Sequence, residues 1–487
     1  MHGKPGVCAK NAGRNVVERD HKISYRAGMK TLIYRIEPQT RAAFAALYRL
    51  SWPVIMSRLG FMLMGLMDTL VVGHYSSAEL GYHSLAWAPT SIFLVTSIGL
   101  LVGVQVKTAQ FVGAGEPERI GATFQRAVVY AIILGVGSMV ALTLGGSWML
   151  NAVVRPELAA GATGPLLIFA LSMPFYMVAV AVSEFLEGLG RTRPGMVFTW
   201  AGNVVNVALL FVLVPGVVTI PGIDSDGAMG AAISTLVARM LVTVGLLIYL
   251  FRLKQVKSFR LLGRHAPDPQ GAREQRQVGY AAGASYFIEV AAFAGMTVFA
   301  GRISETAVAV WAIVLNFASV VFMVPMGLAI GCSVLVGGAY GAGDPAGIAR
   351  MGRVSFISAG GFMLAVCLTV LIGAQAIAAG YTSDPALLGG VQGALLLACL
   401  FFVPDGVQVV GAQALRARHD VLIAPVLHYI AYGLIMLPMG YWLSLHVGLG
   451  VPGLIYACAL ASWLSAVLLV SRFLWLDRRA RAITAET

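Results

Sequence analysis

Charged residues are scarce in this sequence, and long stretches contain none. Asp, Glu, Lys and Arg make up 11% of the 487 residues, against about a quarter in soluble globular domains. Hydrophobic residues reach 58%, and uncharged apolar runs of about 20 residues, long enough to cross a bilayer, recur along the chain. Because these runs are continuous rather than alternating, a membrane β-barrel is excluded. The composition predicts an all-α polytopic membrane protein.

Cysteine is also rare, and its positions exclude both a disulfide-stabilised domain and a zinc-stabilised domain. Of the five cysteines, Cys332, Cys367, Cys399 and Cys458 sit inside apolar runs, and Cys8 lies near the N-terminus. Such spacing suits neither a disulfide framework nor a zinc site. The N-terminal segment lacks the apolar core of a signal peptide, so we expect no cleaved signal.

Basic residues outnumber acidic ones, and the excess is concentrated in three segments. The formal net charge is +12, and 21 of the 34 Lys and Arg residues lie in the first 49 residues, in Arg252 to Gln277 and in the tail from Arg472. Basic residues that flank apolar spans mark the cytoplasmic side of a membrane protein. The aromatic interleaving of a nucleic-acid module is absent, so we expect no nucleic-acid partner.

The apolar runs predict about twelve spans, six on each side of the central basic stretch. The spans are predicted at residues 51–73, 84–112, 124–149, 162–187, 195–215, 227–251, 278–301, 307–338, 353–379, 387–413, 421–445 and 450–474. The predicted units are a cytoplasmic tail (1–45), an N-terminal six-helix bundle (46–251), a basic connector (252–277), a C-terminal six-helix bundle (278–475) and a second cytoplasmic tail (476–487). The remaining inner loops are basic as well, which predicts that both termini are cytoplasmic.

One glycine-rich stretch occurs twice, first from Gly99 to Ile120 and again from Gly327 to Ile348. The two copies share a Gly-Ala-Gly core. The difference in residue number between Gly99 and Gly327 is called the repeat offset below. A repeat of nearly half the chain predicts two homologous halves. Because each half has an even number of spans, the pseudo-two-fold axis should run along the membrane normal, with the bundles facing each other across a cleft. No Lys-Ser/Thr follows the glycines and no strand precedes them, so we interpret them as helix caps rather than a phosphate loop.

Three acids lie away from the ends of the predicted spans: Asp68, Glu289 and Asp405. An ionisable group at the centre of a span costs about 2.5–3.5 kcal/mol on insertion scales, which makes each acid a functional candidate. Glu289 and Asp405 are predicted at similar depth near the midplane of the C-terminal bundle, where they could bind Na⁺ between them or share a proton. The alternative is that each acid accepts a hydrogen bond from a neighbouring helix and only fixes packing.

Neutral polar residues inside the spans are candidates for lining or supporting the site. They are Asn203, Asn206, Asn316 and Gln408. For the asparagines, interhelical packing is an equally favoured interpretation. Beyond the coupling ion we expect no cofactor.

Other charged residues also lie inside the predicted spans or near their ends. Arg58 and Lys107 are predicted to extend their side chains to the nearby membrane surface. Glu184 and Glu187 are predicted to pair with the arginines of the loop that follows them. Arg239 lies mid-span, and the sequence indicates no partner for it.

Together these features resemble the multidrug and toxic compound extrusion (MATE) family, in its bacterial NorM-like branch, over about residues 45–475. The first half carries Pro53-Val54, then Met67-Asp68-Thr69 and Gly73. The second half carries YFIEVAAF around Glu289, the long stretch LNFASVVFMVPMGLAIGCSVLVG, and DGVQVVGAQALR from Asp405. The long stretch is more specific than any single acid.

The resemblance implies a transporter that exports cationic, lipophilic compounds in exchange for Na⁺ or H⁺ by alternating access. It implies that Glu289 and Asp405 are the cation-site acids of the second half, that Asp68 is the first-half acid, and that Asn206 is associated with it. The sequence also departs from the family pattern. Leu210 replaces an expected Asn, Phe401 replaces an expected Tyr, and Trp311-Ala312 replaces an expected His-Gln pair. These departures should make the cleft more apolar.

The sequence therefore predicts a secondary active multidrug efflux transporter rather than an enzyme. Its expected partners are small organic cations and the lipid bilayer, and we expect a monomer. One alternative is a flippase or exporter of a lipid-linked or other amphipathic metabolite, which should show extra spans and a cationic cleft. An intramembrane enzyme acting on polyprenyl lipids would need a clustered Asp or His/Glu metal motif that the sequence lacks, and a membrane scaffold is a further alternative.

Overall fold

The computed structural model describes residues 40–218 and 226–486, and the regular structure in these ranges is helical throughout. Most of the predicted N-terminal tail, with Cys8, lies outside the described residues. Twelve helices in these ranges are long and apolar enough to cross a membrane. This confirms the predicted fold class.

The first half contains six of these helices. They are α1 (Thr40–Tyr75), α2 (Ser77–Ala114), α3 (Pro117–Ala152), α4 (Pro156–Gly188), α5 (Arg193–Leu213) and α6 (Gly227–Arg252). A short 3-10 helix, Lys254–Phe259, follows in the connector. The second half contains α7 (Pro269–Ile303), α8 (Glu305–Gly341), α9 (Pro345–Tyr381), α10 (Pro385–Ala417), α11 (Ile423–His446) and α12 (Val451–Glu486).

The helices begin and end at residues whose chemistry favours a boundary. Ser304 and Asp344 accept the backbone N–H of Ala307 and Gly347 at 3.0 and 2.9 Å, which satisfies donors left free in the first turn. Proline occupies the first position of α3, α4, α7, α9 and α10, where its missing N–H is not needed. Within the Gly-Ala-Gly cores, Gly115 and Gly343 adopt φ of 74° and 65°. This left-handed conformation caps α2 and ends the turn after α8, as the repeat predicted.

The two glycine-rich copies pack against each other where α2 meets α8. The space a side chain would need at Gly113 is occupied by the carbonyl of Gly338, and at Gly341 by the carbonyl of Gln110. The repeat offset converts Gly113 into Gly341 and Gln110 into Gly338. The two contacts are therefore one contact repeated by the pseudo-two-fold axis, and each requires glycine.

A second pair of contacts follows the same symmetry. Gly99 and Gly103 of α2 lie against the backbone of α7, and their equivalents Gly327 and Gly331 of α8 lie against α1. An ideal Cβ at Gly99 would stand 2.6 Å from the Cα of Gly283. Each bundle has its own apolar core, and a further buried cluster joins α1 and α2 to α8. Four helices, α1, α2, α7 and α8, thus hold the bundles together.

Ion pairs add to this interface at the end of the molecule that carries the connector, called the connector end below. Lys107 Nζ of α2 lies 2.6 Å from Glu274 Oε2 of α7. Asp268, which caps α7, lies 3.3 Å from Arg119 Nε and 3.6 Å from Arg126 Nη1 of α3. The prediction that Lys107 extends to the membrane surface is wrong, because α7 covers this side chain and supplies a carboxylate.

The close approach of α2 and α8 predicts that Gly113→Ala destabilises the protein although alanine favours helix. Overpacking of this kind costs about 1–3 kcal/mol and should outweigh a propensity gain of about 1 kcal/mol. The matched control is Gly361→Ala on α9, where an added Cβ meets nothing within 4 Å. Thermal unfolding of the purified protein in detergent should give a lower midpoint for Gly113→Ala than for Gly361→Ala. Equal midpoints would contradict the close contact.

Candidate functional site

A cavity of about 280 Å³ lies between α7, α8 and α10, and both second-half acids line it. Glu289 comes from α7 and Asp405 from α10, so the packing of these helices brings together residues that are far apart in sequence. The rest of the lining is mostly apolar and includes Phe293, Met323 and Phe401. Phe401, one of the departures from the family pattern, faces this cavity and removes a hydroxyl from it.

Gln408 connects the two acids. It follows Asp405 by one helical turn on α10, and its Nε2 donates to Glu289 Oε1 at 3.3 Å. Asp405 is 7% exposed, and among the described residues neither its Oδ1 nor Gln408 Oε1 has a hydrogen-bond partner. Tyr432 of α11 lies near both acids, and its buried hydroxyl also lacks a partner of hydrogen-bond geometry within the described part of the chain.

These unpartnered oxygens make the cavity a chemically suitable site for a proton or a small cation. Buried polar atoms normally have a partner, so several unpartnered oxygens at one place leave room for a proton, a water molecule or a small cation. Carboxylate, amide and hydroxyl oxygens are hard ligands that suit hard cations. In the described ranges no group of three or more His, Cys, Asp or Glu could hold a metal ion. A bound Na⁺ would therefore depend on neutral oxygens such as that of Gln408.

Asp68 lies in the other bundle and is fully satisfied. Its exposure is 1%, Asn206 Nδ2 donates to Oδ1 at 3.2 Å, and Thr235 Oγ1 donates to Oδ2 at 2.8 Å. The contact with Asn206 agrees with the resemblance. Thr235 was missed, because a threonine inside a span gives no signal by itself. Leu210, where an asparagine was expected, is buried among apolar neighbours instead.

The remaining predicted polar residues are not near these acids. Asn203 Nδ2 donates to the carbonyl of Gly60 at 2.8 Å, which joins α5 to α1. Asn316 is exposed, and its Oδ1 accepts a hydrogen bond from Tyr381 at 3.0 Å. Neither residue lines the cavity, so for both the geometry favours the packing interpretation.

The interpretations of Arg58, Glu184 and Glu187 were wrong. Arg58 Nη2 lies 3.5 Å from Glu184 Oε1, and Gln105 Nε2 donates to Glu187 Oε2 at 3.4 Å. The glutamates face the interior rather than the arginine-rich loop because α4 lies closely against α2 at Gly188, where an added Cβ would be 2.7 Å from the carbonyl of Gln105.

Arg239 has neighbours that the sequence did not indicate. Its Nη1 donates to Ser172 Oγ at 2.5 Å, and its guanidinium lies 4.9 Å from the ring centre of Tyr176. It also interacts electrostatically with Asp68. Arg239 is therefore a buried cation held by an aromatic face and a hydroxyl, with Asp68 as a nearby charge.

Solved structures of the same fold are found by comparison. A structure described as "Crystal structure of MATE in the bent conformation" superposes with a TM-score of 0.82 at 18% identity, covering 94% of this chain and 98% of that chain. "Outward-facing conformation of a multidrug resistance MATE family transporter of the MOP superfamily" gives a TM-score of 0.80 at 18% identity, covering 91% and 97%. At this identity the likeness concerns the fold alone.

Curated relatives match nearly the whole chain. "Probable multidrug resistance protein NorM" of Caulobacter vibrioides is 46% identical over 441 residues, covering 90% of this chain and 93% of the relative. "Multidrug resistance protein NorM" of Vibrio cholerae is 28% identical over 451 residues, covering 89% and 96%.

The MatE family profile matches twice, at residues 53–212 and 281–442. The starts of the two matches are separated by the repeat offset, the same shift that relates the glycine-rich stretches. With one match in each six-helix half and relatives along nearly its full length, the chain belongs to the MatE family.

Proposed function

We propose that this protein is a secondary active multidrug efflux transporter, which exports organic, mostly cationic lipophilic compounds in exchange for Na⁺ or H⁺. One observation carries the proposal. Glu289 and Asp405 line a single, otherwise largely apolar cavity, and Asp405 Oδ1 is buried there without a hydrogen-bond partner among the described residues. The names of the NorM relatives support the multidrug part, because two of them are called multidrug resistance proteins.

The organic cation and the coupling ion can compete for this cavity. An organic cation would place its charge near the acids and its apolar body against Phe293, Met323 and Phe401. Aromatic faces attract cations, and polarizable methionine adapts to varied shapes. A proton or Na⁺ neutralises the same acids and removes the charge that retains the drug. Exchange requires that the ion and the drug favour different conformations or exclude each other.

Asp68 supplies a second, separate acid in the N-terminal bundle. Its carboxylate accepts hydrogen bonds from Asn206 and Thr235 and lies near Arg239. These interactions favour the charged form, whereas burial of the carboxyl group favours the neutral form. We assign Asp68 to proton transfer that biases the N-terminal bundle between conformations, because protonation would weaken both hydrogen bonds at once.

The proposed cycle moves two bodies, residues 46–251 and 278–475, about their shared interface. The glycine contacts and the ion pair of Lys107 with Glu274 close that interface at the connector end. In the proposed orientation the connector and both termini are cytoplasmic, and the protein lies in the bacterial inner membrane as a monomer.

The cavity acids predict that Glu289→Gln and Asp405→Asn abolish export, because an amide carries no charge to exchange. In bacterial cells lacking efflux pumps, the wild-type protein should lower ethidium accumulation, and both variants should return it to the level of cells without the protein. The matched control, Glu305→Gln in the exposed first turn of α8, should export normally. Wild-type export by both cavity variants would contradict the assignment.

Imposed gradients identify the coupling ion. Proteoliposomes loaded with ethidium are given a proton gradient or a Na⁺ gradient separately, and ethidium efflux is followed by fluorescence. Efflux under one gradient only would assign that ion. The absence of efflux under both gradients, with wild-type protein and across a broad panel of cationic dyes, would contradict the exchange mechanism.

The Asp68 site predicts a loss of stability in Thr235→Val, which keeps the shape of the side chain but removes its hydroxyl. A hydrogen bond to a charged group contributes about 1.5–3 kcal/mol. The control is Thr90→Val, since Thr90 is equally buried but bonds only the carbonyl of Ala86 in its own helix. Thermal unfolding should show a larger decrease for Thr235→Val. Equal decreases would mean that Asp68 does not depend on this donor.

The proposed orientation predicts the behaviour of reporter fusions. Green fluorescent protein should fluoresce when fused after residue 487, and alkaline phosphatase should be active when inserted in the turn between α3 and α4 near Arg155. Basic residues favour the cytoplasmic side, and this turn carries a single arginine. The reverse pattern would overturn the orientation.

A further inference from the structure

A second buried pair of acids lies outside the site described above. Glu184 and Glu187 are one helical turn apart on α4 and are 2% and 7% exposed. Arg58 of α1 reaches Glu184 at 3.5 Å, and among the described residues no ion pair reaches Glu187. Glu187 receives only the neutral amide of Gln105 at 3.4 Å. Two buried carboxylates therefore share one guanidinium.

Unpartnered atoms of this cluster indicate that something is missing from it. Gln105 is fully buried and directed at Glu187, yet its Oε1 has no hydrogen-bond partner among the described residues. The same holds for Glu184 Oε2 and for Thr108 Oγ1. Backbone contact between α4 and α2 at Gly188 closes the cluster on this side. Oxygens of Glu184 and Gln105 thus lack a donor among the described residues, at a place where two helices are closely packed.

Charge balance identifies the missing ligand as one proton. Two ionised carboxylates a turn apart repel each other, and burial penalises a charge that has no counter-ion. A proton on one of them leaves a neutral acid beside an intact Arg58–Glu184 pair, and its O–H supplies the missing donor. A Na⁺ ion would stand close to the guanidinium and be repelled by it.

The groups that face the cluster connect it to the other bundle. Arg58 faces it from α1 and Tyr176 from α4 itself, while α2 contributes the neutral Gln105 and Thr108. Tyr286 of α7 lies near Arg58 and Glu184 on one side and near Glu289 and Arg416 on the other. Tyr286 also lines the cavity of Glu289 and Asp405. Movement of α7 against α2 would change the surroundings of both pairs of acids.

We propose that Glu184 and Glu187 form a second proton site, which holds one shared proton while the bundles are in contact and exchanges it with water when they separate. The exchange step rests on the proposed transport function. The site itself does not, because its occupancy follows from the charges and contacts of the closed interface.

Infrared spectroscopy of the full chain in lipid nanodiscs tests the site without transport. A protonated buried carboxyl group gives a C=O stretching band apart from that of a carboxylate. We expect Glu187→Gln and Glu184→Gln each to lose one such band at neutral pH, because the remaining glutamate then pairs with Arg58. Arg58→Gln should gain a second band, since both glutamates then need a proton. The control Glu118→Gln, on an exposed glutamate of α3, should leave the bands unchanged.

Two outcomes would overturn the proton site. One is an unchanged band in both glutamate variants that still unfold cooperatively, which would mean that the pair is ionised and structural. The other is a band that vanishes when K⁺ is replaced by Na⁺ at constant ionic strength, which would assign the site to Na⁺.

The exchange step is tested by the pH dependence of ethidium efflux from proteoliposomes. Glu187→Gln should flatten this dependence, whereas Glu118→Gln should keep the wild-type profile. An unaltered profile in Glu187→Gln would show that the proton stays bound throughout the cycle and would overturn the exchange step. If the wild type moves no ethidium, the proposed function fails while the infrared result still decides the site.

Discussion

The cost of holding charge inside a membrane protein determines how this molecule is arranged. Every buried ion needs a counter-ion, hydrogen-bond donors or a proton. Asp68 meets the requirement with two side-chain donors, and Lys107 meets it with Glu274. Glu289 receives one amide N–H from Gln408, and Asp405 Oδ1 has no partner among the described residues. The site proposed for ion exchange is therefore one of the places where the protein itself leaves this requirement incomplete.

The glycine contacts repeat between the two halves, whereas the buried acids lie at positions that do not correspond. The glycine contacts recur at the repeat offset because both copies must allow the same close approach of helices. The acids do not repeat. The same offset relates Asp68 to Met296, which is fully buried in the core of the second bundle, and Glu289 to Phe61, whose ring packs 5.8 Å from that of Tyr176. The repeated scaffold thus carries a different polar site in each half.

Much of this arrangement could be predicted from sequence because it depends on local properties. Apolar runs predicted the twelve helices, and the repeat predicted two halves related by pseudo-symmetry. The meeting of Glu289 with Asp405 followed from their depths. The pairs Lys107–Glu274 and Arg58–Glu184 could not be predicted, because they depend on how each helix is rotated against its neighbours. A side chain at a helix end looks the same in sequence whether it faces lipid or another helix.

The glycine interface also constrains how the proposed cycle can proceed. Helices in backbone contact at Gly113 and Gly341 cannot loosen gradually without forfeiting their packing, so the bundles are either in contact or apart at this end. Separation would admit water to the Lys107–Glu274 pair and, two residues along α2, to Gln105 and the glutamates beside it. The same movement shifts Tyr286, which lies near both Glu184 and Glu289. A single steric constraint at the glycines can therefore link the hydration of charges in one bundle to the occupancy of the cavity in the other.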